Sequence, residues 1–176
     1  MRIGIDISQL AYPNTGVSNY LENLVLQLVK DEKHDFVLFF SSLRGKVPAS
    51  IQNLNGKNII LKRIKIPQSA LHLMWNVAHK IPVEKFIGAV DLFITSDWTE
   101  PPAKARKATI LYDLIVLKFP DETSEKIVRV QEKKLSWVKK ESDIIFCISE
   151  STKRDAHNIL GIDDGKLKVI YPGLTL

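Results

Sequence analysis

The residues equipped for chemistry in this chain stand just after short apolar, β-branched runs. They are Ser8, Gly16 and Val17 at the start of a helical stretch, Thr95-Ser96-Asp97, Tyr112-Asp113, and Ser149-Glu150. A glycine at a helix start lets backbone N–H groups approach an anion or a hydroxyl closely. A carboxylate such as Asp97, Asp113 or Glu150 accepts hydrogen bonds from hydroxyls, and the Tyr112 phenol donates one without carrying positive charge near pH 7. Each also has a plainer reading. Gly16 relieves a tight turn, Ser149 caps a helix, Asp113 closes a turn on its own backbone, and Tyr112 is core with its hydroxyl at the rim. No Gly-x-Gly-x-x-Gly occurs, so a self-contained dinucleotide site is absent. His34, His72, His79 and His157 lack metal-ligand spacing, and no metal or other cofactor is expected. No Ser/His/Asp or Cys/His set stands out as a complete catalytic constellation.

Gathering these residues takes a particular scaffold. Residues 2–7, Arg-Ile-Gly-Ile-Asp-Ile, read as a buried strand. After a loop over 8–15, apolar residues at Val17, Tyr20, Leu21, Leu24, Val25, Leu28 and Val29 form a helical stripe. Further strands are expected at 35–41, 58–64, 91–94, 108–112, 143–148 and 168–170. Helices are expected at 69–79, 121–141 and from the Ser149 cap to Leu160, with Gly161 as C-cap. Acidic Asp121, Glu122 and Glu125 open the second of these and Lys139 and Lys140 close it, matching the helix dipole. Alternating strands and helices give a Rossmann-like three-layer α/β/α sandwich with a mostly parallel sheet of about seven strands. In such sheets ligands bind beyond the carboxyl ends of the strands, and the candidates all fall on that edge.

The totals narrow the class. A chain of 176 residues suits one domain with a sizeable core, and 45% hydrophobic with 26% charged residues is an ordinary globular composition. No apolar run approaches the roughly 20 residues of a membrane span. Met1 leads straight into the first strand and the one cysteine, Cys147, lies in an apolar run; both point to a cytoplasmic location. The net charge of +5 comes from scattered lysines without the aromatic-basic signature of a nucleic-acid module. The chain stops soon after Tyr171-Pro172-Gly173 with no helix over its last strand. Residues 1–170 are therefore expected as the domain and 171–176 as the start of a hinge into a second domain.

Five segments, in order, resemble the N-terminal half of the family-4 glycosyltransferases, which have the GT-B fold. Residues 2–6 with Thr15-Gly-Val-Ser-Asn-Tyr20 resemble the family's first strand and its Thr-Gly-Ile-Gly-Arg-Tyr loop. Residues 91–102 resemble its Asp-Val-Phe-His…Pro-Pro segment, and Tyr112-Asp-Leu…Phe-Pro120 its His-Asp-Leu…Phe-Pro segment. Cys147-Ile-Ser-Glu-Ser-Thr-Lys153 resembles a Val-Ser-Glu-Phe-Ser-Lys helix start, and Val169-Ile-Tyr-Pro-Gly-Leu174 the family's hinge. The resemblance implies a retaining transfer of a sugar from a nucleotide-sugar to a saccharide or lipid-linked acceptor, in a cleft between two Rossmann-like domains. The N-terminal domain mainly binds acceptor and the C-terminal domain, absent here, holds the donor. It implies that Asp113 and Tyr112 are the catalytic candidates, with Gly16, Val17, Asp97, Ser149 and Glu150 lining the cleft. Tyr112 replaces a histidine that contacts the transferred sugar in relatives. Ile94 replaces a second histidine, and Ser18 and Asn19 replace the loop's glycine and arginine. These changes favour, as the alternative, a non-catalytic saccharide-binding or regulatory domain. A contact with an anionic membrane is a further expectation, from Lys62, Arg63, Lys65 and Lys80 near Leu71, Leu73, Met74 and Trp75.

Overall fold

The structure, a computed structural model, describes residues 1–96 and 98–173. In chain order the elements are β1 (Arg2–Asp6), α1 (Gly16–Leu28), β2 (Asp35–Ser41), the single turn α2 (Ala49–Gln52), β3 (Ile59–Ile64), α3 (Gln68–Leu71) running on into a π-helical stretch (His72–Val77), α4 (Glu84–Ile87), β4 (Leu92–Thr95), β5 (Arg106–Leu111), α5 (Ile115–Lys118), α6 (Glu125–Glu141), β6 (Ile144–Cys147), α7 (Glu150–Leu160) and β7 (Leu167–Val169). The seven strands form one sheet in the order β3-β2-β1-β4-β5-β6-β7. Every pairing is parallel, so the expected mostly parallel sheet is parallel throughout. The order reverses between β1 and β4, which makes the loops above that pair the switch point of the sheet.

Successive side chains of a strand point to opposite faces, and both faces here are apolar. On one, α1 lays Leu21 and Val25 against Ile5, Phe36, Leu38 and Ile110. The other is covered in two parts. Leu71, Trp75 and Ile87 pack on Val37, Phe39 and Phe93, while Leu135, Val138 and Ala156 pack on Leu111, Ile145 and Cys147. Gly4 is needed for this second face: a Cβ there would stand 2.7 Å from the Phe93 ring and 2.9 Å from Ile87.

Three expectations change. The helix expected over 69–79 has one α-turn and then widens, with Ala78 N–H donating to the Leu73 carbonyl at 2.9 Å, five residues back. The widening lets Trp75 and its neighbour Asn76 both turn inward. Leu71 and Trp75 are consequently core, and the stripe left in solvent is Leu73, Val77 and Ile81. The long helix starts at Glu125 rather than residue 121, because Thr123 and Ser124 are extended and separate it from a 3₁₀ turn at Pro120–Glu122. The fifth strand runs over 106–111, leaving Tyr112 as the first residue past its end.

Candidate functional site

Four of the expected site residues meet in one open groove of about 670 Å³. Gly16 and Val17 come from the start of α1, Tyr112 and Asp113 from the end of β5, and Ile170 to Gly173 close the far side. The start of α1 is fixed by its cap. Thr15 is extended and its hydroxyl accepts from Ser18 N–H at 3.1 Å, satisfying one of the helix's free donors. Gly16 meets nothing within 4 Å of where a Cβ would be, and its backbone is not in the left-handed region. Neither a turn nor packing requires glycine there. What glycine leaves is bare backbone facing the groove.

Tyr112 is 7% exposed, so its ring is core as the plainer reading expects, while its hydroxyl is buried rather than at the rim. Its ring meets Tyr20 edge-to-face at 5.6 Å, and its hydroxyl shares a 3.0 Å hydrogen bond with Ser96 Oγ. Tyr20 in turn donates to the Ile170 carbonyl at 3.3 Å, and its half-burial pushes its phenol pKa up. The closing residues 170–173 are thus tied to α1 through one aromatic pair. Asp113 is exposed. One carboxylate oxygen, Oδ1, accepts from Ile115 N–H at 3.0 Å, the expected turn, and this fixes the carboxylate at the lip of the groove.

Ser149 and Glu150 lie beside the groove and do not line it. Ser149 is the N-cap of α7, accepting from Thr152 N–H at 3.0 Å. Thr152 Oγ1 donates to the Tyr112 carbonyl at 2.9 Å, so this helix start positions the end of β5. Glu150 is exposed. Asp97 lies outside the described residues.

Among the described residues no Lys, Arg or His lines the groove; what faces it is the start of α1, the Tyr112 and Asp113 side chains and residues 170–173. Among the described residues no group of three or more His, Cys, Asp or Glu is placed to hold a metal ion.

A second polar cluster went unforeseen. On the face opposite α1, Lys107 Nζ lies 2.9 Å from Glu100 Oε1 and 2.8 Å from Glu141 Oε2, with Lys107 3% and Glu100 0% exposed. Thr95 Oγ1 donates to Glu100 Oε2 at 2.6 Å, and Glu100 N–H donates to Asn76 Oδ1 at 2.9 Å. His79, stacked flat on Trp137 at 3.6 Å, reaches Glu141 Oε1 with Nε2 at 2.8 Å. Burial acts to raise the Glu141 pKa, but Lys107 and His79 outweigh it and hold it below 4.5. This is a sealed seam joining β4, β5 and α6. The alternation Lys107-x-Thr109, with register partners Phe93 and Thr95, was the sequence signal for inward polar positions.

A third group was missed at the switch point. Asp6, at the end of β1, is buried and its pKa is raised, first by burial; Oδ1 accepts from Ser8 N–H at 2.9 Å. Above it, Gln9, Tyr12, Thr15, Gln68 and Trp98 line a cavity of about 430 Å³.

An all-parallel sheet with a ligand-sized groove at its carboxyl edge defines a Rossmann-like domain. The chain belongs to Glycosyltransferase Family 4, whose sequence profile matches residues 14–176. Solved structures with a similar fold include Anabaena Alr3699/HepE in complex with UDP, at 14% identity and TM-score 0.52, covering 98% of this chain and 44% of that one. Another is Phytolacca americana UGT2 complexed with UDP-2fluoro-glucose and pterostilbene, at 13% identity and TM-score 0.54, covering 98% and 52%. These neighbours are GT-B glycosyltransferases, and at such identities the likeness is one of fold. The chain spans about half the length of each. No curated protein matches it.

Proposed function

We propose that this chain is the acceptor-side, N-terminal domain of a retaining glycosyltransferase that moves a hexosyl-type sugar from a nucleotide-sugar to a saccharide or lipid-linked acceptor in cell-surface polysaccharide or glycan synthesis. The observation that carries the reading is the groove itself. It is open, of ligand size and, among the described residues, free of cationic side chains, with Gly16, Val17, Tyr112 and Asp113 converging on it. Such a surface fits a sugar and leaves the donor's phosphates to a second domain, which residues 171–176 lead into. On this reading Asp113 accepts a hydrogen bond from an acceptor hydroxyl, and Tyr112 donates to a hydroxyl of the sugar being moved. The bare backbone at Gly16 lets the ligand approach α1. Catalysis is cytoplasmic. The same reading includes a peripheral contact with anionic lipid through exposed Leu73, Val77 and Ile81 and the lysines of that stretch, Lys80 and Lys85. Sedimentation with phosphatidylglycerol vesicles tests the contact; binding equal to that with neutral vesicles removes it.

Incubating the natural protein, with whatever sequence follows residue 176, with a panel of nucleotide-sugars and saccharide acceptors tests the reading, and turnover is expected. A non-catalytic saccharide-binding domain is the second reading, favoured by Tyr112 being engaged with Ser96 where relatives carry histidine. Binding without turnover, unchanged by Tyr112→His, would establish that reading and end the first.

A further inference from the structure

We infer that the cavity over the switch point, lined by Gln9, Tyr12, Thr15, Gln68 and Trp98, is a separate subsite for one uncharged pyranose unit. Gln9 is 8% exposed, and its Oε1 is buried without a hydrogen-bond partner. Gln68 Oε1, across the same cavity, is in the same condition. Leaving a buried amide oxygen unpaired destabilises the fold, so two on one cavity mark a place where a partner is missing. Gln9, Gln68 and Trp98 also border, with Asp6, Ser8, Ser96 and Thr99, a void of about 10 Å³ with room for at most one water. A ligand seated above can supply both partners, because the terminal torsion of glutamine is soft and swings the amide outward at small cost. Hydroxyls suit this role best, since each both donates and accepts and pairs with either end of the amide.

The remaining walls are consistent with a sugar. Tyr12, 48% exposed, and Trp98 supply aromatic surface whose electron-rich faces attract the C–H face of a pyranose. Among the described residues no cationic side chain lines the cavity, which disfavours phosphate, and about 430 Å³ is within the usual range for small ligands. Its position adds a constraint. Thr15 lines this cavity and Gly16, the next residue, lines the groove, so the two spaces lie on either side of one loop. A saccharide of two or more units laid across that loop places one unit in each. Calling that saccharide the acceptor rests on the transferase reading; the subsite does not.

The test reads binding without turnover. The chain is titrated with methyl glucosides, methyl galactosides and N-acetylglucosamine, and separately with inorganic phosphate, while the side-chain amide signals of Gln9 and Gln68 and the Trp98 indole N–H are followed by NMR. Saturable shifts at these three groups with at least one neutral sugar, with Kd on the order of 1 mM, and none with phosphate are expected. Gln9→Leu should weaken binding about tenfold or more, close to 1.4 kcal/mol. It should leave the Tm equal or higher, since an apolar side chain of similar size removes an unpaired polar atom. Trp98→Ala, at an accessible ring, should weaken binding by a similar factor. No saturable shift with any sugar, shifts confined to Tyr20 and Tyr112, or affinity unchanged in both variants would overturn the subsite. Each of those results leaves the transfer assay, and the reading it tests, untouched.

Discussion

Two polar regions of this molecule invite opposite conclusions from residue type alone. The seam holds two carboxylates, an ammonium and an imidazole within hydrogen-bond distance of one another, the usual ingredients of acid–base chemistry. The groove holds one carboxylate, three phenols and two glycines. Yet in the seam Glu100 and Lys107 are sealed and paired, with nowhere for a substrate to enter. In the groove the groups are spaced around a ligand-sized volume, and bare backbone faces it at Gly16. Access separates a site from a structural network, and buried charge that is fully partnered points to structure.

The contrast is broken most directly in the seam. Lys107→Met leaves the Glu100 charge buried without its partner and should cost about 3–5 kcal/mol, a drop of about 10 °C or more in Tm. Adding Glu100→Gln should return most of the loss, because an apolar or neutral replacement of both charges is well tolerated. Thermal unfolding of the single and double variants decides this; equal melting of Lys107→Met and wild type would make the seam ornamental.

Two glycines sharpen the contrast at smaller scale. Gly4→Ala drives a Cβ into Phe93 and Ile87 and should cost about 1–3 kcal/mol by denaturant titration. Gly16→Ala meets open space at a helix start and should leave stability unchanged or raise it by up to about 1 kcal/mol. Any loss of ligand binding or turnover in Gly16→Ala then reflects a ligand at the backbone.

The smallest effect is a pH dependence. The Glu141 pKa in the folded chain lies below 4.5, so its ionised form contributes stability that is complete above 4.5 and lost as pH falls through the lowered value. Glu141→Gln should therefore melt lower than wild type at pH 7, by about 1 kcal/mol, since Glu141 itself is 30% exposed and Lys107 keeps Glu100 as a partner. The gap should narrow below pH 4.5 and close in stronger acid. A gap constant across that range would mean that the charge contributes nothing.

The same distinction governs how much was legible in the sequence. The strand and helix order, the Ser149 cap and the Gly161 C-cap are local signals, and all appear in the structure. Gly16, Val17, Tyr112 and Asp113 could be picked out because residues after strand ends collect at one edge of a parallel sheet. Glu150 was chosen by the same rule and faces solvent beside the groove, because a helix's first residue need not turn toward the sheet edge. The seam and the Gln9–Gln68 cavity were not legible. Their members come from loops, from the π-helical stretch and from strand interiors, separated by up to 62 residues in one hydrogen bond. Leu71 and Trp75, four residues apart and so on one helical face, are core, while the exposed stripe of Leu73, Val77 and Ile81 follows a segment that widens and was not legible from a 3.6-residue period.

The central claim is that the groove, and not the seam, carries function. The measurement that tests it most directly is kcat/KM for sugar transfer by the intact natural protein carrying Asp113→Asn or Tyr112→Phe, with Tm recorded alongside. Each variant is predicted to lose about tenfold or more in kcat/KM, some 1.4 kcal/mol of transition-state stabilisation, with Tm close to wild type for Asp113→Asn and lower for Tyr112→Phe, which breaks the buried hydrogen bond to Ser96. Full turnover in both variants would contradict the account.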